Sequence, residues 1–92
     1  MSQVPERTEL LPNFPNPFNA STMIEYRLPN AQTVSIKVYD LLGREVARLA
    51  DGYAEAGSHR VTFDGGAFAS GIYLARMHAG IFSQTRKLIL VK

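Results

Sequence analysis

Thr22-Met23-Ile24-Glu25-Tyr26-Arg27-Leu28 and, beyond Pro29-Asn30, Val34-Ser35-Ile36-Lys37-Val38-Tyr39 alternate apolar and polar side chains with a period of two. Successive side chains of a strand point to opposite faces, so each stretch reads as a strand with one buried face. Ile24, Tyr26 and Leu28 face the core in the first, and Val34, Ile36 and Val38 in the second. Pro29 ends the first strand, and the short connection to Gln32 predicts that the two pair as a hairpin.

The same period continues outward. Asp40-Leu41-Leu42-Gly43-Arg44-Glu45 reverses the chain, with Gly43 supplying a positive φ, and Val46 to Leu49 resume as a short strand. Asp51-Gly52 and Ala56-Gly57 punctuate a loop before Arg60 to Phe63, and Asp64-Gly65-Gly66 closes that strand. In Ile72 to Met77 both faces carry apolar groups, and Tyr73, Ala75 and Met77 are expected inward. Ala79-Gly80 makes the last turn before a final strand from Ser83 to Lys92.

On the N-terminal side, residues 1–9 are polar and read as a linker, with the domain running from 10 to 92. Leu11 to Asn19 holds Pro12, Pro15 and Pro17, which excludes a helix or a central strand and suits an extended edge followed by a turn. Phe14 and Phe18 are its expected anchors. Strands spaced about 8–12 residues apart, with no sustained helical period, predict an all-β, immunoglobulin-like antiparallel β-sandwich of six to seven strands. A small barrel has the same strand count.

At 92 residues the chain accommodates one domain, and 46% apolar with 20% charged residues is a globular composition. The longest apolar runs have strand length, too short for a spanning helix. Cysteine is absent, which removes disulfides and thiolate chemistry. The formal net charge is +2, with ten basic residues spread among eight acidic ones, so nucleic acid is not an expected partner.

Catalysis requires a nucleophile with a base, paired carboxylates, a metal cluster or a phosphate loop, and none is assembled here. Ser58, His59 and Asp64 do not make a triad, because neighbouring strand residues face opposite ways. His59 and His78 read as exposed residues at strand ends. Asp64-Gly65-Gly66 lacks the further acids of a calcium loop, so no metal or cofactor is implied. Most aromatic residues are needed for a core this small, although Tyr39, Tyr53 and Phe68, in or beside turns, are a candidate sugar-binding surface. That surface supports a second reading, an accessory carbohydrate-binding or spacer module of a secreted glycoside hydrolase.

Thr85-Arg86-Lys87-Leu88-Ile89-Leu90-Val91-Lys92 is an apolar run bracketed by charges. As structure it reads as a central strand buried on both faces. As function it reads as a terminal address. Four blocks carry a family resemblance: Leu11 to Asn19, Val38 to Val46, Ala69 to Tyr73, and Arg86 to Lys92. In this order they resemble the C-terminal sorting domain of type IX (Por) secretion cargo, over about residues 10 to 92. Ala20 stands where that family commonly has a second proline, and the Asp64 to Ser70 loop is short. A related Ig-like domain of the flagellar hook-cap scaffold shares the Asn-Pro-Phe and Tyr-Asp-x-x-Gly elements.

The resemblance implies a non-catalytic domain, carried by a larger exported protein such as a hydrolase, that directs it across the outer membrane to the cell surface. It implies the outer membrane secretion machinery, the upstream domain of the same polypeptide and surface lipopolysaccharide as partners, with the domain itself a monomer. By position, Lys87, Leu88, Ile89, Leu90, Val91 and Lys92 match the family's terminal motif, and Gly71 with Tyr73 match its preceding Gly-x-Tyr.

Overall fold

A computed structural model of the chain describes residues 5–92 and contains seven strands and no helix among them. These are β1 (Glu9–Leu10), β2 (Ser21–Leu28), β3 (Gln32–Tyr39), β4 (Glu45–Ala54), β5 (Gly57–Asp64), β6 (Gly71–Ala79) and β7 (Phe82–Leu90). They form two antiparallel sheets, one ordered β1-β2-β5 and the other β4-β3-β6-β7. This is the sandwich that the alternating pattern requires: each sheet has one apolar face, and the two faces bury each other. Residues 1–4, part of the expected linker, lie outside the described residues. Glu9 of that linker pairs with Arg27.

The core is made by the predicted faces. Ile24, Tyr26 and Leu28 from β2 meet Val34, Ile36 and Val38 from β3, with Phe63 from β5, Tyr73, Ala75 and Met77 from β6, and Leu88 and Leu90 from β7. Phe63 packs edge-on against Phe18 at 5.9 Å between ring centroids and stacks on Phe68 at 5.6 Å. Asn13 and Thr22 are the buried polar residues, and they satisfy each other: Asn13 Nδ2 donates to Thr22 Oγ1 at 3.0 Å, and that hydroxyl donates to the Pro15 carbonyl at 2.8 Å.

Four expectations are corrected. β2 and β3 are not a hairpin; they lie in opposite sheets, so the Pro29 to Ala31 connection crosses the sandwich. Alternation says which face of a strand is buried but not which sheet it joins. Phe14 is no anchor: it bridges Met23 through its main chain and leaves its ring 77% exposed. Asp51-Gly52 is not a loop but part of β4, with Gly52 opposite Val34. Finally, β7 is an edge strand that ends at Leu90. It is buried on one face through Leu88 and Leu90, while Lys87 is exposed and Ile89 half-buried on the other.

Candidate functional site

The four blocks quoted from the sequence converge at one end of the four-stranded sheet. In β6 and β7, Gly71 pairs with Leu90, Tyr73 with Leu88, and Leu74 with Lys87. On the other side of β6, Leu74 pairs with Tyr39, which leads into the Asp40 turn. The outer edge of β7 is met by Phe18, in a parallel bridge to Leu90.

That bridge is built from the proline-rich segment. The Phe18 N–H donates to the Ile89 carbonyl at 2.8 Å, and the Val91 N–H donates to the Phe18 carbonyl at 2.9 Å. One residue pair earlier, Asn16 imitates a strand with its side chain. Its Nδ2 donates to the Lys87 carbonyl at 3.2 Å, and its Oδ1 accepts the Ile89 N–H at 3.0 Å. The carboxamide carries both a donor and an acceptor, so one side chain satisfies two edge groups. Proline on either side of Asn16 suits this, because Pro15 and Pro17 fix φ and bring no N–H that needs a ladder partner.

A reciprocal contact closes the same side of the sandwich further along. The Leu10 N–H donates to Gln84 Oε1 at 3.2 Å, and Arg86 Nε donates to the Leu10 carbonyl at 2.9 Å. Side chains of β7 thus cap the edge of β1, while residues 16–18 cap the edge of β7. The end of the chain is tied down too: the Lys92 N–H donates to Ser70 Oγ at 3.0 Å, and Lys92 Nζ donates to the Gly66 carbonyl at 2.7 Å.

Gly71 and Tyr73 have their own geometry. Gly71 opens β6 with φ +151°, a region that side chains disfavour. The Tyr73 hydroxyl donates to the Ala69 carbonyl at 2.6 Å, and its ring is buried against Phe63 and Phe68. A tyrosine at the start of a strand, tethered to the backbone just upstream, is the corner found in immunoglobulin-type sandwiches. Gly65 in the preceding loop approaches closely: a Cβ there would lie 3.0 Å from both the Ala20 carbonyl oxygen and Leu90 Cδ2.

Tyr39, Tyr53 and Phe68 are not brought together. Phe68 turns inward onto Phe63. Tyr39 and Tyr53 share the outer face of the four-stranded sheet, but Tyr53 lies opposite Thr33, six residues along β3 from Tyr39, or about 20 Å. His59, expected to be exposed, is half-buried with its ring stacked on Tyr26 at 5.1 Å. Its Nε2 lies 2.7 Å from the Glu55 carbonyl. Among the described residues, no group of three or more His, Cys, Asp or Glu is placed to hold a metal ion.

The sequence reading missed how the charges are distributed. The last acidic residue is Asp64, so residues 65–92 carry four basic groups and no acidic one. In the structure Arg7, Arg27, Lys37, Arg44, Arg48 and Arg60 each form an ion pair. Arg76, Arg86, Lys87 and Lys92 form none among the described residues, and all four lie on β6, β7 or the residues after β7. Their position in the sequence was visible, but their lack of partners required the fold.

The fold and site define an immunoglobulin-like sandwich whose last strand is locked in place by residues 16–18. The chain belongs to the secretion system C-terminal sorting domain family, whose model matches residues 13–92. No individually curated protein matches it. Such a domain is the C-terminal sorting signal of type IX secretion, which marks the protein that carries it for the cell surface or extracellular space and engages the secretion machinery.

Proposed function

We propose that the secretion machinery reads the segment from Lys87 to Lys92, held beside Gly71 and Tyr73, and that the rest of the sandwich is its rigid mount. The observation that carries this is the convergence of the Asn16 to Phe18, Gly71 to Tyr73 and Lys87 to Val91 blocks on three adjacent stretches of backbone. A folded domain presents a defined address only where that segment is both ordered and solvent-facing. Exposed Lys87, Val91 and Lys92 meet the second condition, and the hydrogen bonds to Asn16, Phe18 and Ser70 meet the first.

In this reading residues 10–92 are the sorting unit, residues 1–9 join it to an upstream domain such as a secreted hydrolase, and any catalysis belongs to that domain. The sorting unit acts as a monomer, and surface lipopolysaccharide is the acceptor for the delivered protein. The test is a passenger fused ahead of residues 10–92 in a type IX-competent cell. The intact fusion is expected at the surface, and the same fusion lacking Lys87 to Lys92 is expected in the periplasm. Equal surface yield would overturn the reading.

A further inference from the structure

Resting on that reading, the geometry points to the surface that is read: a face of the sheet, not a strand edge. A partner strand adding to β7 needs free N–H and C=O groups along its outer edge. From the Lys87 carbonyl to the Val91 N–H those groups are already engaged by Asn16 and Phe18. What remains open there is the outward side of the sheet.

That side has an uneven composition. Across its middle, Arg48, Lys37 and Arg76 lie in one row on three strands. Glu45 and Asp51 neutralise Arg48, and Glu45 also lies 4.0 Å from Lys37. Toward the end of the sheet where the four blocks meet, the row of Tyr39, Leu74 and Lys87 is followed by the cross-strand pair Ile72 and Ile89. A shallow cleft of about 220 Å³ opens between Tyr39, Leu74, Arg76 and the Asp40 turn, with Leu41 on its rim. Arg76 lies 5.9 Å from the centre of the Tyr39 ring, and among the described residues neither it nor Lys87 meets a carboxylate. Asp40, which lines the cleft, is taken by Arg44 and by the amides of its own turn, and Glu45, opposite Tyr39, by Arg48 and Lys37.

An apolar patch whose rim cations are unpaired, its acids being committed to other basic groups, is complementary to an apolar surface bearing acids. We propose that the outer face formed by Tyr39, Ile72, Leu74 and Ile89, rimmed by Arg76 and Lys87, docks an acidic, apolar-studded segment of a protein of the secretion machinery. A sheet face with a shallow cleft suits a protein surface, where apolar side chains seat between the cations and carboxylates meet them. Leu41, exposed in the adjoining turn, extends the same surface.

The experiment places a photo-crosslinking amino acid at Leu74 in the passenger fusion, irradiates exporting cells and identifies the adduct by mass spectrometry. The expected adduct is a peptide of a secretion-machinery protein with clustered Asp or Glu, reduced at least tenfold by Arg76→Glu. An independent variant, Leu41→Asp at an exposed turn position, is expected to lower surface yield without changing the melting temperature. Crosslinking to lipopolysaccharide alone, an adduct insensitive to Arg76→Glu, or normal export of both variants would overturn the proposal. Arg76→Glu and Leu41→Asp leave Lys87 to Lys92 unaltered. Normal export of both variants alongside a defective terminal deletion would therefore refute the docking face while leaving the sorting segment standing.

Discussion

β4 and β7 are the two edges of the same four-stranded sheet, and they protect their exposed backbones by different means. β4 does so locally. Its register against β3 slips twice, at Ile36/Lys37 and at Val38/Tyr39, and Arg48 bridges Glu45 and Asp51 along the strand's own length. Irregularity and charge are standard ways to keep an edge from pairing with another chain. β7 keeps a continuous register with β6 and relies on residues more than seventy positions away, Asn16 and Phe18. A local device protects an edge whatever the rest of the chain does. The long-range one makes the order of the last strand depend on residues 16–18.

The contrast breaks most severely at Phe18. Its ring is 2% exposed and meets Phe63, and its main chain holds Ile89 and Val91. Phe18→Ala is expected to cost about 3–5 kcal/mol by cavity formation, a large part of the stability of a small domain. Urea unfolding followed by circular dichroism measures it, and a loss below about 1 kcal/mol would remove Phe18 from the core. Next comes Gly65→Ala, whose new methyl group must displace Leu90 or the Ala20 carbonyl. An overpacking cost of about 1–3 kcal/mol is expected, with chemical-shift changes centred on Leu90.

Asn16 sharpens the comparison because its side chain serves only the edge. Asn16→Ala removes two hydrogen bonds to β7 and is expected to cost about 1–2 kcal/mol. Amide exchange should rise at Ile89 while Ile36, in the middle of the sheet, stays protected. On the opposite edge Arg48→Ala removes exposed ion pairs, which contribute little, and the unfolding midpoint should move less than for Asn16→Ala. The reverse ranking would mean that charge, and not the Asn16 bridge, secures this sheet.

Much of this architecture was legible in the chain. The period of two identified the buried faces of β2 and β3, because half-burial writes itself into alternation, whereas the inward trio Tyr73, Ala75 and Met77 matched the expectation in a stretch whose two faces are both apolar. Sheet membership was not legible: Leu28 and Val34 face inward equally well from one sheet or from two. Phe14 misled because hydrophobicity marks a candidate for burial, whereas its main-chain pairing with Met23 turns the ring outward. Gly52 misled in the other direction, since a glycine in a bulged edge strand looks like a turn. At the site, the four blocks lie together in the fold, but the Asn16 bridge that joins two of them is a contact between residues 73 apart and has no local signature. The charge division after Asp64 was readable and went unread, because residues spaced along a sequence give no sign of which will find partners.

The smallest expected effect tests whether the Asp40 turn, beside the cleft, is as self-contained as the β4 edge it leads into. The Arg44 N–H donates to Asp40 Oδ1 at 3.0 Å, the Leu42 N–H to the same oxygen at 2.9 Å, and Arg44 Nε to Oδ2 at 2.8 Å. The Arg44 backbone hydrogen bond is the largest influence, and together these contacts hold the Asp40 carboxyl below its ordinary value. A carboxyl whose pKa is lower folded than unfolded adds stability above its unfolded pKa and loses it as the pH falls through the folded one. Stability followed from neutral to strongly acidic pH should therefore show a component lost at and below the ordinary aspartate range. Asp40→Asn should abolish that component, since a neutral amide does not titrate there. Gly43, at φ +85°, keeps the reversal sterically possible in both proteins. An unchanged acid profile in the variant would show that the turn is held by its backbone alone, with the carboxylate a bystander.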